Sequence, residues 1–140
     1  MTSLSPVGQL RAFALKSIAA ERYPNDHHVF KVFECEVCAD AFFRITIEHH
    51  TGSTENDFKG VIRGQCVACG HRQTLFSFTG EHRSFVREEI PVCECGSDHF
   101  LAGVCERIEG ERGLAGFFDE GVVVGDCCHC GRGRVFAYTD

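Results

Sequence analysis

The sequence predicts a small, mainly β fold held together by metal: two consecutive three-stranded antiparallel units behind one α-helix. Three observations carry this. Cysteines fall in close pairs, beginning with Cys35-x-x-Cys38 and Cys66-x-x-Cys69-Gly70, and such a turn aims two thiolates at one ion. Between and beyond the pairs, apolar and polar residues alternate with the period of a strand. The pattern then returns, FKGVIRGQCVACG from Phe58 being answered by FDEGVVVGDCCHCG from Phe118, the mark of an internal repeat.

The helix comes first. Ser5 is a good N-cap and Pro6 is harmless in a first turn. Val7, Leu10, Ala14 and Ile18 recur at helical spacing, with Leu4 and Leu15 beside them, so residues 5–22 read as a helix packed on the first unit. Tyr23-Pro24-Asn25-Asp26 ends it. His27-His28, like His49-His50 further on, reads as a pair of exposed loop histidines, since four cysteines already satisfy each metal site. Phe43, Ile45 and Ile47 alternate with Arg44, Thr46 and Glu48 as a half-buried strand. His49 to Lys59 is a polar hairpin tip, Val61-Ile62 start the return strand, and Thr74, Phe76 and Phe78 mark a third.

The second half repeats this order. Cys35 corresponds to Cys93, Asp40-Ala41-Phe42 to Asp98-His99-Phe100, and Phe76-Ser77-Phe78-Thr79 to Phe136-Ala137-Tyr138-Thr139. The chain therefore divides into an N-terminal helix and turn (1–30), a first unit (31–80), a charged linker (81–90) and a second unit (91–140).

Each unit offers four thiolates. The first set is Cys35, Cys38, Cys66 and Cys69; the second is Cys93, Cys95, Cys127 and Cys130, with Cys128 able to replace Cys127. Cys105 is left over as a small buried apolar residue. The metal expected is Zn²⁺, two per chain, with iron as the lesser alternative. Disulfides are disfavoured: the first 17 residues, MTSLSPVGQLRAFALKS, contain no signal-like apolar run, and neighbouring cysteines bridge only with strain. A cytoplasmic, reducing location and no membrane contact follow as expectations.

Charge and composition limit the functions. The formal net charge of −6 lies in residues 81–140, which hold six Lys/Arg against twelve Asp/Glu, while residues 1–80 balance at eight and eight. A Zn²⁺ with four thiolates adds further negative charge, so a phosphate backbone meets no excess of cations. Thirteen Phe and no Trp make Phe the main bulky core filler. A site closed by four cysteines has no open position for water or substrate, which argues against an enzyme and against a small-molecule substrate.

The paired knuckles on hairpins resemble the zinc ribbon group over residues 33–79 and 91–139. The resemblance implies two tandem, rubredoxin-like zinc ribbons. It also implies a non-catalytic role in protein interaction, as an accessory part of nucleic-acid-handling machinery. The ligand pattern is similar to that of rubredoxins too, which implies the alternative of an iron electron carrier; the aromatic cluster of that family is lacking. A third reading is a nucleic-acid-binding ribbon using Arg63, His71, Arg72, Arg132 and Arg134, which could equally balance thiolate charge. Asp119-Glu120, ahead of Cys127, resembles the acidic hairpin tip of transcript-cleavage factors, although its offset from the cysteine is shorter than theirs.

Overall fold

The computed structural model describes residues 5–22, 27–78, 84–108 and 120–139. Helix α1, Pro6–Ser17, is followed by a short 3-10 turn at Ala20–Arg22. The Ser5 Oγ accepts the Gly8 N–H at 3.1 Å, so the cap expected from the sequence is made. Among the described residues eight strands follow: β1 His27–Val32, β2 Phe42–His50, β3 Gly60–Cys66, β4 Arg72–Phe78, β5 Phe85–Glu89, β6 Phe100–Ile108, β7 Glu120–Cys127 and β8 Gly133–Thr139. All their pairings are antiparallel.

Three features differ from the expected pair of separate three-stranded sheets. All eight strands belong to one sheet, ordered β4-β3-β2-β6-β7-β8 with β1 and β5 attached to its middle. β1 and β5 arise where turns and a linker were expected; β5 occupies most of the described part of residues 81–90. Finally, the first strand of each repeat crosses over. β1, which leads to Cys35, pairs with β6 of the second half, and β5, which leads to Cys93, pairs with β2 of the first.

The registers reveal a pseudo-twofold relation. Phe43 opposes Cys66 and Phe100 opposes Cys127, so Phe43 and Phe100 are equivalent. The two phenylalanines also oppose each other where β2 meets β6. Lys31 opposes Val104 while Glu89 opposes Ile47, an equivalent pairing on the other side. A register shift between Ile62 and Arg63 recurs between Val123 and Val124. The correspondence inferred from sequence therefore slips by one residue in two places. Phe43 matches Phe100 because the second half's first knuckle is one residue shorter, and Ile62–Phe76 matches Val123–Ala137 because both halves carry the same register shift at the same distance from their cysteines.

One core serves both halves. Phe33, Phe43, Ile45, Ile47, Phe58 and Ile62 pack with Phe100, Ala102, Val104, Val123 and Phe136, and the Phe100 and Phe136 rings meet edge to face at 5.3 Å. The small residues are placed by this packing. A Cβ on Gly64 would stand 2.8 Å from the Phe43 ring, and one on its equivalent Gly125 would stand 2.5 Å from Phe136.

Helix α1 covers the second half rather than the first. Leu10, Ala14 and Ile18 pack on Leu101, Cys105, Val122 and Val124, with Phe30, Val32 and Tyr138 at the margin. The pseudo-equivalent positions on the first half are Arg44, Glu48, Val61 and Arg63, bordered by Glu88, Ile90 and Ser77. An apolar helix stripe gains by burial only against the apolar face. The first half keeps an open groove of about 520 Å³ instead, lined by Arg44, Thr46, Glu48, Arg63, Gln65 and Arg72 among others. Arg63 bonds Glu48 and Thr74, and Arg44 lies 3.4 Å from Asp98.

Phe43 is fully buried at the junction of the halves. Phe43→Ala is expected to lower stability by about 3–5 kcal/mol, read as a shifted denaturant midpoint at constant metal. A loss below about 1 kcal/mol would show that the β2–β6 junction does not carry the fold.

Candidate metal centres

Each cluster stands where two knuckles converge, one between the repeat's first two strands and one between its last two. The knuckles are built by backbone bonds. Cys35 N–H bonds the Asp40 carbonyl at 2.7 Å, and Ala39 N–H returns to the Cys35 carbonyl at 2.9 Å; Cys66 pairs in the same way with His71 and Gly70. In the second half Cys127 pairs with Arg132 and Gly131. The shorter knuckle, Cys93-Glu94-Cys95, closes one residue earlier through Gly96 N–H to Cys93 O at 2.8 Å. In all four turns the residue after the second cysteine has positive φ: Ala39 at 66°, Gly70 at 78°, Gly96 at 94° and Gly131 at 75°. Added Cβ atoms on these three glycines would meet nothing within 4 Å, so backbone conformation rather than space selects glycine there.

The sulfurs of Cys35, Cys38, Cys66 and Cys69 lie within 4.8 Å of one another, and so do those of Cys93, Cys95, Cys127 and Cys130. The shortest approaches are Cys35–Cys69 at 3.6 Å, Cys38–Cys66 at 3.5 Å, Cys93–Cys130 at 3.4 Å and Cys95–Cys127 at 3.5 Å. A disulfide needs about 2.05 Å, whereas a tetrahedral ion bonded to sulfur at about 2.3 Å spaces its ligands by roughly 3.8 Å. The donor set and its spacing therefore fit a tetrathiolate ion. In each set two cysteines are buried in the common core and two are exposed.

Backbone amides prepare the sulfurs. The Cys35 thiol is brought down to about 6 chiefly by the Cys38 N–H, with help from Val37 N–H at 3.4 Å. Burial raises Cys127, but the N–H groups of Cys130 and His129 outweigh it and bring this thiol to about 6 as well. The Asp40 N–H pulls Cys38 down and the Ser97 N–H does the same for Cys95. Neighbouring thiols and burial override both and push each to about 12. Sulfurs gathered this closely resist ionising together, and a bound cation removes the conflict.

Ion pairs tie the knuckles across each site. His71 Nε2 lies 2.6 Å from Glu36 Oε1, and the equivalent Arg132 contacts Glu94. Arg134 donates to the Val92 carbonyl at 3.2 Å. The arginines considered for nucleic acid are thus engaged with acids or carbonyls at Arg63, Arg132 and Arg134, while Arg72 is exposed in the open groove.

Cys128 stands outside the second cluster. Its side chain is exposed and its N–H bonds the His99 carbonyl at 3.0 Å. Cys105 is buried under α1, as expected, and burial pushes its thiol up to about 11. The histidines differ from the exposed-loop reading in place and mostly in burial. All four lie in strands; His27 in β1 is exposed as expected, whereas His28 beside it is half-buried and His49 and His50 end β2 with side chains only 15% exposed. His49 lies 3.0 Å from Glu89 and lines a cavity of about 590 Å³ with Arg87, Phe58, Phe136 and Tyr138. No sequence signal marks this pair, because Glu89 reaches β2 only through the exchanged strand. Glu120 is held by Arg107 at 3.3 Å; Asp119 lies outside the described residues.

No protein-family model matches the chain, and no curated protein or solved structure is similar enough to count as a match.

Ala39 carries the strain that glycine avoids in the other three knuckles. Ala39→Gly is expected to raise stability by about 1 kcal/mol, seen as a higher melting temperature; a decrease would refute the strain argument. Thiol alkylation of the native, metal-loaded chain should label Cys128 rapidly and leave Cys105 and the eight clustered cysteines unmodified. Rapid labelling of Cys93 or Cys130 by peptide mapping would show that the second cluster is open.

Proposed function

We propose that this chain is a non-catalytic zinc-binding protein, two zinc ribbons interlocked by exchange of their first strands. It works as a protein-interaction or accessory module in nucleic-acid-handling machinery. The observation that carries the reading is the pair of closed four-thiol clusters at the ends of hairpins. Four thiolates on one ion leave no position for water or substrate, so the metal acts on folding and not on chemistry. Its contribution is on the order of 10 kcal/mol per site. Four thiolates suit either zinc or iron; zinc is preferred because the chain has no Trp from which to build the aromatic cluster of the iron carriers.

The interaction role is supported by the asymmetry of the outer faces. One is sealed by α1, and its pseudo-equivalent stays open with arginines, acids and the exposed Ile90. A mixed polar face of this kind suits a protein surface better than a phosphate backbone, since its charges are largely paired within the face. The apolar stripe of α1 is occupied by its own sheet, which leaves the open face as the contact surface in this reading.

Elemental analysis of the purified chain is expected to return two zinc ions, one for each cluster, with a colourless protein that unfolds in strong chelator. Iron with visible colour would replace this reading by electron transfer, and a folded, metal-free protein would remove it. A photo-crosslinker at Thr46 should form a defined protein adduct that one at Arg11 does not. Equal adducts at both positions, or adducts with nucleic acid alone, would refute the interaction role.

A further inference from the structure

We propose that the two metal sites load cooperatively, the first ion raising the affinity for the second. The inference rests on the zinc reading above and deepens it.

The coupling has two physical components. The first is strand exchange. An ion among Cys35, Cys38, Cys66 and Cys69 fixes the knuckle from which β1 departs, and β1 is spent on the other half: Phe30 opposes Cys105 and Val32 opposes Gly103 of β6. Phe33 extends this contact, its N–H bonding the Ala102 carbonyl at 3.0 Å. β6 in turn springs from the Cys93-x-Cys95 knuckle and aligns β7, whose last residue is Cys127. Ordering the first site therefore orders the scaffold of the second. The reverse holds through β5, which ends just before Cys93 and pairs with β2 at Ile47, Glu48 and His49.

The second component is a direct row across the sheet. Cys66 opposes Phe43, Phe43 opposes Phe100, and Phe100 opposes Cys127. One buried ligand of each cluster is thus joined to the other by two phenylalanines that have no exposed surface. Side chains opposed in register on one face pack directly on each other, and a packed core does not deform in small independent steps. A half-loaded chain would have to keep one end of this row ordered beside two knuckles that no ion holds together. Both components favour chains with no ion or with two.

The test uses the full chain. Reduced, metal-free protein is equilibrated with zinc, buffered by a competing chelator to half-saturation, and the ion content of each chain is counted by native mass spectrometry. Two equal, independent sites leave about half of the chains with one ion, and tenfold coupling lowers that fraction to about a quarter. A one-ion fraction clearly below half supports the proposal; half or more overturns it. A chain that takes up no zinc at all defeats the earlier reading instead, so the two failures are distinguishable. In a second arm Cys130→Ala removes one ligand from the second cluster only. The free zinc that half-loads the first cluster should then rise about threefold, the square root of a tenfold coupling, and hydrogen-exchange protection of β1 should drop; a half-loading point within about 1.5-fold of the parent's overturns the coupling.

Discussion

The exchange of β1 and β5 is the constraint on which the architecture depends. Backbone donors and acceptors in a sheet must be paired or solvated, and among the described residues each of these strands is paired only by the opposite repeat. Neither repeat can complete its sheet alone. The Phe43–Phe100 opposition then lies where the pseudo-twofold relation brings the halves together. Inner faces that would otherwise need separate small cores share one. Phe33, Phe58 and the inward residues of β2 and β3 form one side of it, and β6, β7 and β8 form the other.

This arrangement changes what an ion in either thiol cluster would do. In a small domain with a thin core, a structural ion substitutes for missing burial. Here Cys35, Cys66, Cys93 and Cys127 are themselves members of the common core, while their four partners are exposed. Each cluster is therefore a hinge point between packed interior and surface turn, and not a staple set apart from the fold. The ion pairs His71–Glu36 and Arg132–Glu94 repeat in both halves, and so do the backbone bonds that shape the knuckles, apart from the one-residue shortening at Cys93–Cys95.

The outer faces have diverged where the inner faces have not. Leu101, Cys105 and Val124 support α1, and the corresponding Arg44, Glu48 and Arg63 cannot. Burying those charges beneath an apolar helix would strand them without solvent, so a single helix has a single seat. The repeat thus has one face closed by its own chain and one left to solvent, and the proposed interaction role rests on that difference.

The cysteine spacing, the Ser5 cap and the alternation at Phe43–Ile47 determined both thiol sets, the helix and the hairpin strands, because each is a local signal with its own period or turn chemistry. Two strands escaped, and they are the two that cross over. β1 and β5 carry HHVFKV and FVREE, without a clean apolar alternation, because their pairing partners and their burial come from the distant repeat. The seat of α1, the one-residue slips and the His49–Glu89 pair were likewise decided by tertiary structure. Each depends on which surfaces meet across the pseudo-twofold junction, and distances between remote segments leave no periodic trace in a chain read one residue at a time.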